Sequence, residues 1–193
     1  GAAQAGKYEA AENYYHQAKS ISQDLQDSET EAGLYDKLGT IYTGMKNYGQ
    51  AIESYSSAVE IYSRSDMLNK EAAALHKIGG IYTQTGEFNN AENTYQRVMV
   101  LAEKTGSREE EALALEGFGK VSRKRGSAGE ALEYFQKALN VYAEMGDKSR
   151  QAAVNVDLRR GEADARCGIH GLEHVVDQRP QRVVDHVDGY RFR

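Results

Sequence analysis

The chain has few of the residues that cross-link or interrupt a fold. Among its 193 residues there are one cysteine, one proline and no tryptophan. The single cysteine, Cys167, excludes a framework of internal disulfides and is typical of a reducing compartment, so the sequence predicts a cytoplasmic protein. The single proline, Pro180, lies near the C-terminus, and no proline interrupts a helix before it.

Two further absences restrict the function. No apolar run approaches the roughly 18 residues that a membrane span needs, so no span is predicted. Positive charge is not in excess either, because the formal net charge is −5 at pH 7. General nucleic-acid binders are usually basic, and we therefore expect no nucleic-acid partner.

The sequence contains no recognisable catalytic motif. We find no phosphate-binding glycine loop, no H-E-x-x-H and no convincing pair of nucleophile and base. Cys167, His170 and His174 are residue types that bind zinc, but their spacing is not a standard zinc signature. The sequence thus predicts that the chain is not an enzyme, with no catalytic residue, cofactor or metal ligand.

What the sequence does contain is a repeat with a period of 40 residues. Three sets of positions keep this step: Ala11, Ala51, Ala91 and Ala131; Tyr15, Tyr55, Tyr95 and Phe135; and Gly39, Gly79 and Gly119. A fixed period of this size is typical of a solenoid, in which one small unit stacks on its copies.

Each period contains two amphipathic segments separated by a short break. Apolar residues recur every three or four positions between Leu34 and Tyr42, and again between Tyr48 and Tyr62. This spacing predicts two helices in each unit. We expect helices near residues 5–20, 30–44, 47–64, 70–84, 87–104, 109–124 and 127–145, and a further one from about 148. Neither helix can bury its apolar face alone, so neighbouring units must stack.

Two kinds of residue refine this prediction. N-caps are expected at Ser28, Asn47, Ser107 and Ser127. Gly39, Gly79 and Gly119 lie inside the first helix of their units, where glycine costs about 1 kcal/mol relative to alanine. A cost repeated in every unit predicts a close crossing of the two helices, with the aromatic residue of the second helix beside it.

These residues resemble the tetratricopeptide repeat, whose pattern is L-G-x2-Y followed by A-x3-F. The match runs through Leu38-Gly39-x2-Tyr42 and Ala51-x3-Tyr55 and returns in the next two periods, except that Ser122 replaces the third tyrosine. The resemblance implies an all-α fold, a right-handed solenoid of antiparallel helix pairs. The period exceeds the family's usual length of about 34 residues, as in the long units of Pins-type adaptors and kinesin light chains.

The repeat pattern also suggests where the repeats end. We expect residues 1–160 to form the solenoid, with a partial first unit, three full units and the start of a further helix. Beyond residue 160 the register fails, since Glu162 stands where tyrosine is expected and Gly171 where the packing alanine is expected. Residues 161–193 are predicted to be a non-repeat tail, disordered or not native.

The resemblance places the candidate site on the first helices, which line a concave groove in this family. The matching positions are spaced i, i+4 and i+7, on one face of a helix. They are Asp36, Thr40, Thr43, His76, Gly80, Thr83, Glu116, Lys120 and Arg123. The alternative is that these positions are ordinary solvated helix faces.

We therefore expect a scaffold or adaptor that binds a peptide or helix of a protein partner in this groove. The alternative is a regulatory or self-assembling domain of a larger protein that controls an enzyme or a transcription factor, with self-association through exposed solenoid ends. Thr40, Gly80 and Lys120 replace the asparagine that carboxylate-binding cochaperones carry, which argues against a chaperone clamp. Lys120 and Arg123 form a basic end, which suits either an acidic ligand or the dipole of a helix end.

Overall fold

The computed structural model describes residues 27–176, together with residues 9, 13, 15, 16 and 20 before them, and gives only the backbone of residues 165–176. The helices of the continuous part are α1 Ser28–Gly44, α2 Tyr48–Arg64, α3 Leu68–Thr85, α4 Phe88–Thr105, α5 Arg108–Arg125, α6 Ala128–Met145 and α7 Lys148–Val176. The prediction of an all-α stack is confirmed. Of the helix expected at 5–20, the structure describes residues 9, 13, 15, 16 and 20, and all five are helical; the other residues of that range lie outside the described residues.

The helices are joined by short turns, so consecutive helices run antiparallel and pack against each other. Four of the turns end a helix with a glycine in the left-handed region, at φ values of 86°, 69°, 87° and 72°. These are Gly86, Gly106, Gly126 and Gly146. In the first two turns, Lys46 and Asp66 adopt the same conformation at φ 60° and 54°. The left-handed turn residue is therefore common to all the described turns, although it is a glycine only in the last four.

The predicted N-caps are confirmed in part. Asn47 and Ser107 accept hydrogen bonds from the backbone N–H groups three residues later, at 3.5 and 3.3 Å. The prediction is wrong for Ser28, because Asp27 caps α1 instead and accepts from the Thr30 N–H at 3.0 Å. A carboxylate one residue earlier is the stronger acceptor for the exposed N–H groups, and its charge suits the positive end of the helix.

The close crossing at the repeated glycines is confirmed. A Cβ built on Gly39 would lie 2.7 Å from the Tyr55 ring, and one on Gly79 would lie 2.8 Å from the Tyr95 ring. The aromatic ring itself thus occupies the space that a Cβ would need. The alanines one turn earlier, such as Ala91, are fully buried behind it. The glycine and the aromatic residue recur together because each one makes room for the other.

The last described helix closes the stack on α6. Val154 on α7 is fully buried, in one cluster with Phe135 and Tyr142 of α6. The packing continues to Gly161, where a Cβ would lie 3.2 Å from Leu132. The backbone of α7 remains helical to Val176, past the predicted boundary at residue 160. Residues 177–193 of the predicted tail lie outside the described residues.

Candidate functional site

The predicted site residues lie on α1, α3 and α5, the first helices of the three full units. Consecutive helices pack together throughout, and α3 also packs directly against α5. Among helices two apart in the continuous described part, this is the most extensive packing. First helices that approach one another in this way form the inner side of the stack, so equivalent positions on them form one continuous surface. We call the surface of α1, α3, α5 and α7 the inner face.

On α1, Thr40 is exposed and Asp36 is tied to the next unit. The Lys77 Nζ on α3 donates to the Asp36 carboxylate at 2.6 and 2.7 Å. The same ammonium lies 5.4 Å from the centre of the Tyr55 ring. The Thr40 hydroxyl lies 3.0 Å from the Tyr55 hydroxyl. Thr43 is half-buried and donates to the backbone carbonyl of its own helix.

On α3, the three predicted positions differ in exposure. Thr83 is buried, which contradicts its predicted place on an open groove surface, and its hydroxyl donates to the Gly79 carbonyl at 2.7 Å. His76 is half-buried beside the Tyr95 ring, with 5.7 Å between the ring centres. Gly80 is exposed, and a Cβ built there meets no neighbouring group within 4 Å.

The environment of His76 disfavours its charged form. Burial is the main cause that lowers the pKa of His76 to about 4, and the cation of Lys120 on α5 adds to it. The carboxylate of Glu116 raises the pKa of His76, but by less than burial and Lys120 lower it. The Nδ1 atom is buried and has no hydrogen-bond partner among the described residues. His76 is therefore neutral at pH 7.

This pKa makes stability depend on pH. The unfolded chain protonates His76 near its ordinary pKa of about 6.5, whereas the folded chain protonates it only at about 4. Between these values the unfolded state binds the extra proton, so stability falls as pH falls. Between neutral pH and about pH 5, the free energy of unfolding of the wild type should fall by about 2 kcal/mol more than that of His76→Gln. Urea unfolding at both pH values measures this, and equal losses in the two proteins would contradict it.

On α5, the three predicted residues are paired within the protein. Lys120 pairs with Glu116 one turn earlier. The Arg123 guanidinium lies 2.9 Å from the Asp157 carboxylate on α7 and 5.9 Å from the centre of the Phe135 ring. These pairs neutralise both cations on which the hypothesis of an acidic ligand depended.

Sequence reasoning did not include Lys77 and Asp157 in the site. Both belong to the inner face, and both bind a charged residue of the preceding first helix. A signal was available, because Asp36 and Lys77 are opposite charges 41 residues apart, one more than the period. Gly117 holds the same position in α5, and a Cβ there would lie 2.4 Å from the Tyr95 ring.

The described part of the chain contains neither a candidate metal site nor a membrane-spanning helix. No group of three or more His, Cys, Asp or Glu side chains there is placed to hold a metal ion. None of the described helices combines the length and the apolarity of a membrane span. Cys167, His170 and His174 lie on the backbone of α7, but their side chains are outside the described residues.

These features define a class of protein: a stack of helix pairs with a continuous inner face. The tetratricopeptide repeat family model matches residues 70–144. The model of the soluble NSF attachment protein, SNAP, matches residues 2–102, just over half of the chain. Both matches support the same assignment: the chain belongs to the tetratricopeptide repeat family. No curated protein sequence matches the chain.

Solved structures confirm the fold. BtubC (BKLC) from P. vanneervenii has a TM-score of 0.73 at 16% identity, over 96% of this chain and 82% of that one. A putative kinesin light chain from Podosopora anserina, with nearly identical TPR-like repeats, has a TM-score of 0.66 at 17% identity, over 90% and 86%.

A third structure is a Signal Transduction ATPase with Numerous Domains from Pyrococcus horikoshii, which has a tetratricopeptide repeat sensor. Its TM-score is 0.71 at 20% identity, over 86% of this chain. The chain spans 28% of the length of that protein. Identities this low show a shared fold and no more.

Proposed function

We propose that this chain is a protein-binding module that holds a segment of a partner protein on its inner face. One observation carries the proposal. The packing positions repeat from unit to unit, whereas two sets of exposed or half-buried inner-face positions differ in every unit. The equivalent positions on α1, α3, α5 and α7 are Asp36, His76, Glu116 and Val156, and one turn later Thr40, Gly80, Lys120 and Arg160.

The variation has a physical meaning. A residue that only stabilises the stack meets the same neighbours in every unit and is therefore repeated. A residue that meets a ligand lies opposite a different part of that ligand in each unit. The name of one matched family also supports a protein-binding role, since a soluble NSF attachment protein is named for attachment to another protein.

We do not propose catalysis. The charged side chains that the structure describes on the middle of the inner face are paired with one another, as Asp36 is with Lys77 and Glu116 with Lys120. Such pairs orient side chains and neutralise charge, which suits recognition better than proton transfer. The single cysteine supports the cytoplasm as the proposed location.

A steric block on the inner face tests the proposal. Gly80 is exposed and helical, so Gly80→Tyr projects a ring into the groove without an internal clash. Tyrosine also suits a helix better than glycine, by about 0.5 kcal/mol, and the variant should be at least as stable as the wild type. Gly129→Tyr on α6 is the matched control, because Gly129 is likewise exposed and uncrowded but lies on a second helix.

The probes are peptides selected from a random displayed library against the complete chain. Gly80→Tyr should weaken their binding at least about tenfold, equivalent to 1.4 kcal/mol, and Gly129→Tyr should leave it unchanged. Fluorescence anisotropy with labelled peptides gives both affinities, and circular dichroism confirms that both variants are folded. Equal binding by the two variants would place the ligand elsewhere.

The second candidate is a regulatory domain within a larger protein. The Pyrococcus horikoshii protein favours it, since its tetratricopeptide repeats are named as the sensor of an ATPase. The inner face would then bind the signal or another part of the same polypeptide. A fusion of the chain to the segments that flank it in its gene distinguishes the two cases, because an internal ligand would compete with the selected peptides.

A further inference from the structure

The junctions between units carry a polar cluster that is broken at the centre of the stack. Between α1 and α3, Lys70 binds the Glu29 carboxylate, and Tyr62 of α2 lies beside this pair. The three residues line one cavity of about 360 Å³. This junction therefore consists of an acid, a tyrosine and a base from three successive helices.

The junction between α5 and α7 repeats the arrangement. The Arg150 guanidinium lies 2.8 Å from the Glu109 carboxylate and 5.7 Å from the centre of the Tyr142 ring. Glu109, Tyr142 and Arg150 are each 80 residues beyond Glu29, Tyr62 and Lys70. The two outer junctions are thus built in the same way.

The central junction, between α3 and α5, has different residues at these positions. Asn69 replaces the acid, Ala102 replaces the tyrosine, and Glu110 replaces the base. Ala102 is buried and lacks the phenol ring of its counterparts. Instead of a cation paired with its carboxylate, the centre of the stack therefore has the Glu110 carboxylate beside a smaller side chain.

The Glu110 carboxylate is buried with one oxygen that has no hydrogen-bond partner among the described residues. The residue is 9% exposed, and the oxygen is Oε2. Burial raises the pKa of Glu110, the carboxylate of Glu109 adds to the effect, and the cation of Arg150, which binds Glu109, opposes it only in part. Burial of a charged oxygen without a hydrogen bond is costly and requires an explanation.

The repeat itself shows which group satisfies this position. In both outer junctions the cluster holds a carboxylate together with a lysine or an arginine. We propose that the central junction binds a lysine or arginine side chain of the partner segment, with Glu110 as its acceptor and Asn69 beside it in register. Glu110 is then a specificity-determining residue of the inner face, selecting partners that carry a basic residue. This inference rests on the proposed function and adds the chemistry of the ligand.

The position suits such a role. Asn69 and Glu110 lie in the first turns of α3 and α5, the two first helices that pack directly against each other. A glutamate has three rotatable bonds, so the carboxylate can turn outward to meet a cation without movement of the helix. A charge-assisted pair formed there would be shielded from water and stronger than one on an open surface.

The experiment uses the same selected peptides and the complete chain. The peptides should be enriched in lysine and arginine relative to the library. Glu110→Gln should weaken the binding of an arginine-bearing peptide about tenfold and remain folded, because it removes an unpaired charge and keeps the shape. Glu133→Gln, which alters an exposed carboxylate on α6, is the matched control and should have no effect.

A double-mutant cycle identifies the contact. The arginine of the peptide is replaced by glutamine, and both peptides are measured against both proteins. If Glu110 binds that arginine, Glu110→Gln should affect only the arginine peptide. Additive losses, or peptides without basic residues, would overturn the inference.

The outcomes also separate this inference from the proposed function. Peptides that are blocked by Gly80→Tyr but insensitive to Glu110→Gln would retain the inner face as the binding surface and exclude Glu110. Peptides that are insensitive to Gly80→Tyr would contradict the proposed function itself. A selection that yields no peptide would contradict both.

Discussion

Gly79→Leu is expected to lower the free energy of unfolding by about 3 kcal/mol or more, whereas Gly80→Leu leaves it unchanged or raises it. A Cβ on Gly79 would lie 2.8 Å from the Tyr95 ring, and the neighbouring Gly80 has no group within 4 Å of the same atom. The ring has little room to move, because Gly117 on α5 also approaches it, and a Cβ built there would lie 2.4 Å from the ring. Overpacking of a well-packed core typically costs 1–3 kcal/mol, and a ring approached closely by two helices places Gly79→Leu at the upper end of this range.

Thermal unfolding measures the difference. For a chain of this size, each kcal/mol shifts the midpoint by about 2–4 °C, so Gly79→Leu should melt roughly 10 °C below Gly80→Leu. The pair is closely matched, since both changes place the same side chain in the same helix one residue apart. Similar midpoints for the two variants would show that the Tyr95 ring can move, and the explanation of the repeated glycine would be wrong.

Removal of α7 should have the second large effect. A chain that ends at residue 147 exposes the face of α6 on which Val154 is now fully buried. The aromatic side chains of Phe135 and Tyr142 lie in the same cluster. Exposure of a large apolar side chain costs about 1.5–3 kcal/mol each, so the loss is on the order of 5 kcal/mol and leads to aggregation.

A longer truncation is the control. A chain that ends at residue 164 keeps Val154 and the contact between Gly161 and Leu132. We expect it to melt within a few degrees of the complete chain, because the sequence beyond it lacks the apolar pattern that would dock it. Light scattering and thermal unfolding compare the two truncations. A stable chain ending at 147 would mean that α6 needs no cover, and an unstable one ending at 164 would assign a stabilising role to the later residues.

The two predictions depend on features that the sequence reveals to different degrees. Gly79 and Tyr95 each recur with the period of 40, so their proximity could be predicted from the repeat alone. Gly117 interrupts the pattern set by Lys77, and nothing local indicates that it packs on the ring of the preceding unit. Contacts within a unit are repeated and therefore visible in the sequence, while contacts that occur once are not.

The candidate site shows the same limit. The spacing of Asp36 and Thr40 correctly places them on one surface of α1, because helical geometry determines which residues share a face. The burial of Thr83 depends on how the neighbouring helices pack against α3, and the spacing of residues along one helix does not predict this. The pairing of Arg123 with Asp157 likewise joins different helices. Exposure and charge pairing are properties of the packed helices rather than of one helix.

The sequence by itself determined the helices, their order, their stacking and the repeated glycine contact, because these follow from local periodicity and from a unit that must bury the same face each time. Only the tertiary structure decided which polar groups have partners. The carboxylates of Asp36 and Glu110 are both on first helices, yet one is paired with a lysine of the next unit and the other is buried with an oxygen that has no hydrogen-bond partner among the described residues. The reason is physical: an ion pair depends on a few ångströms between side chains of different helices, and that distance exists only once the units are stacked.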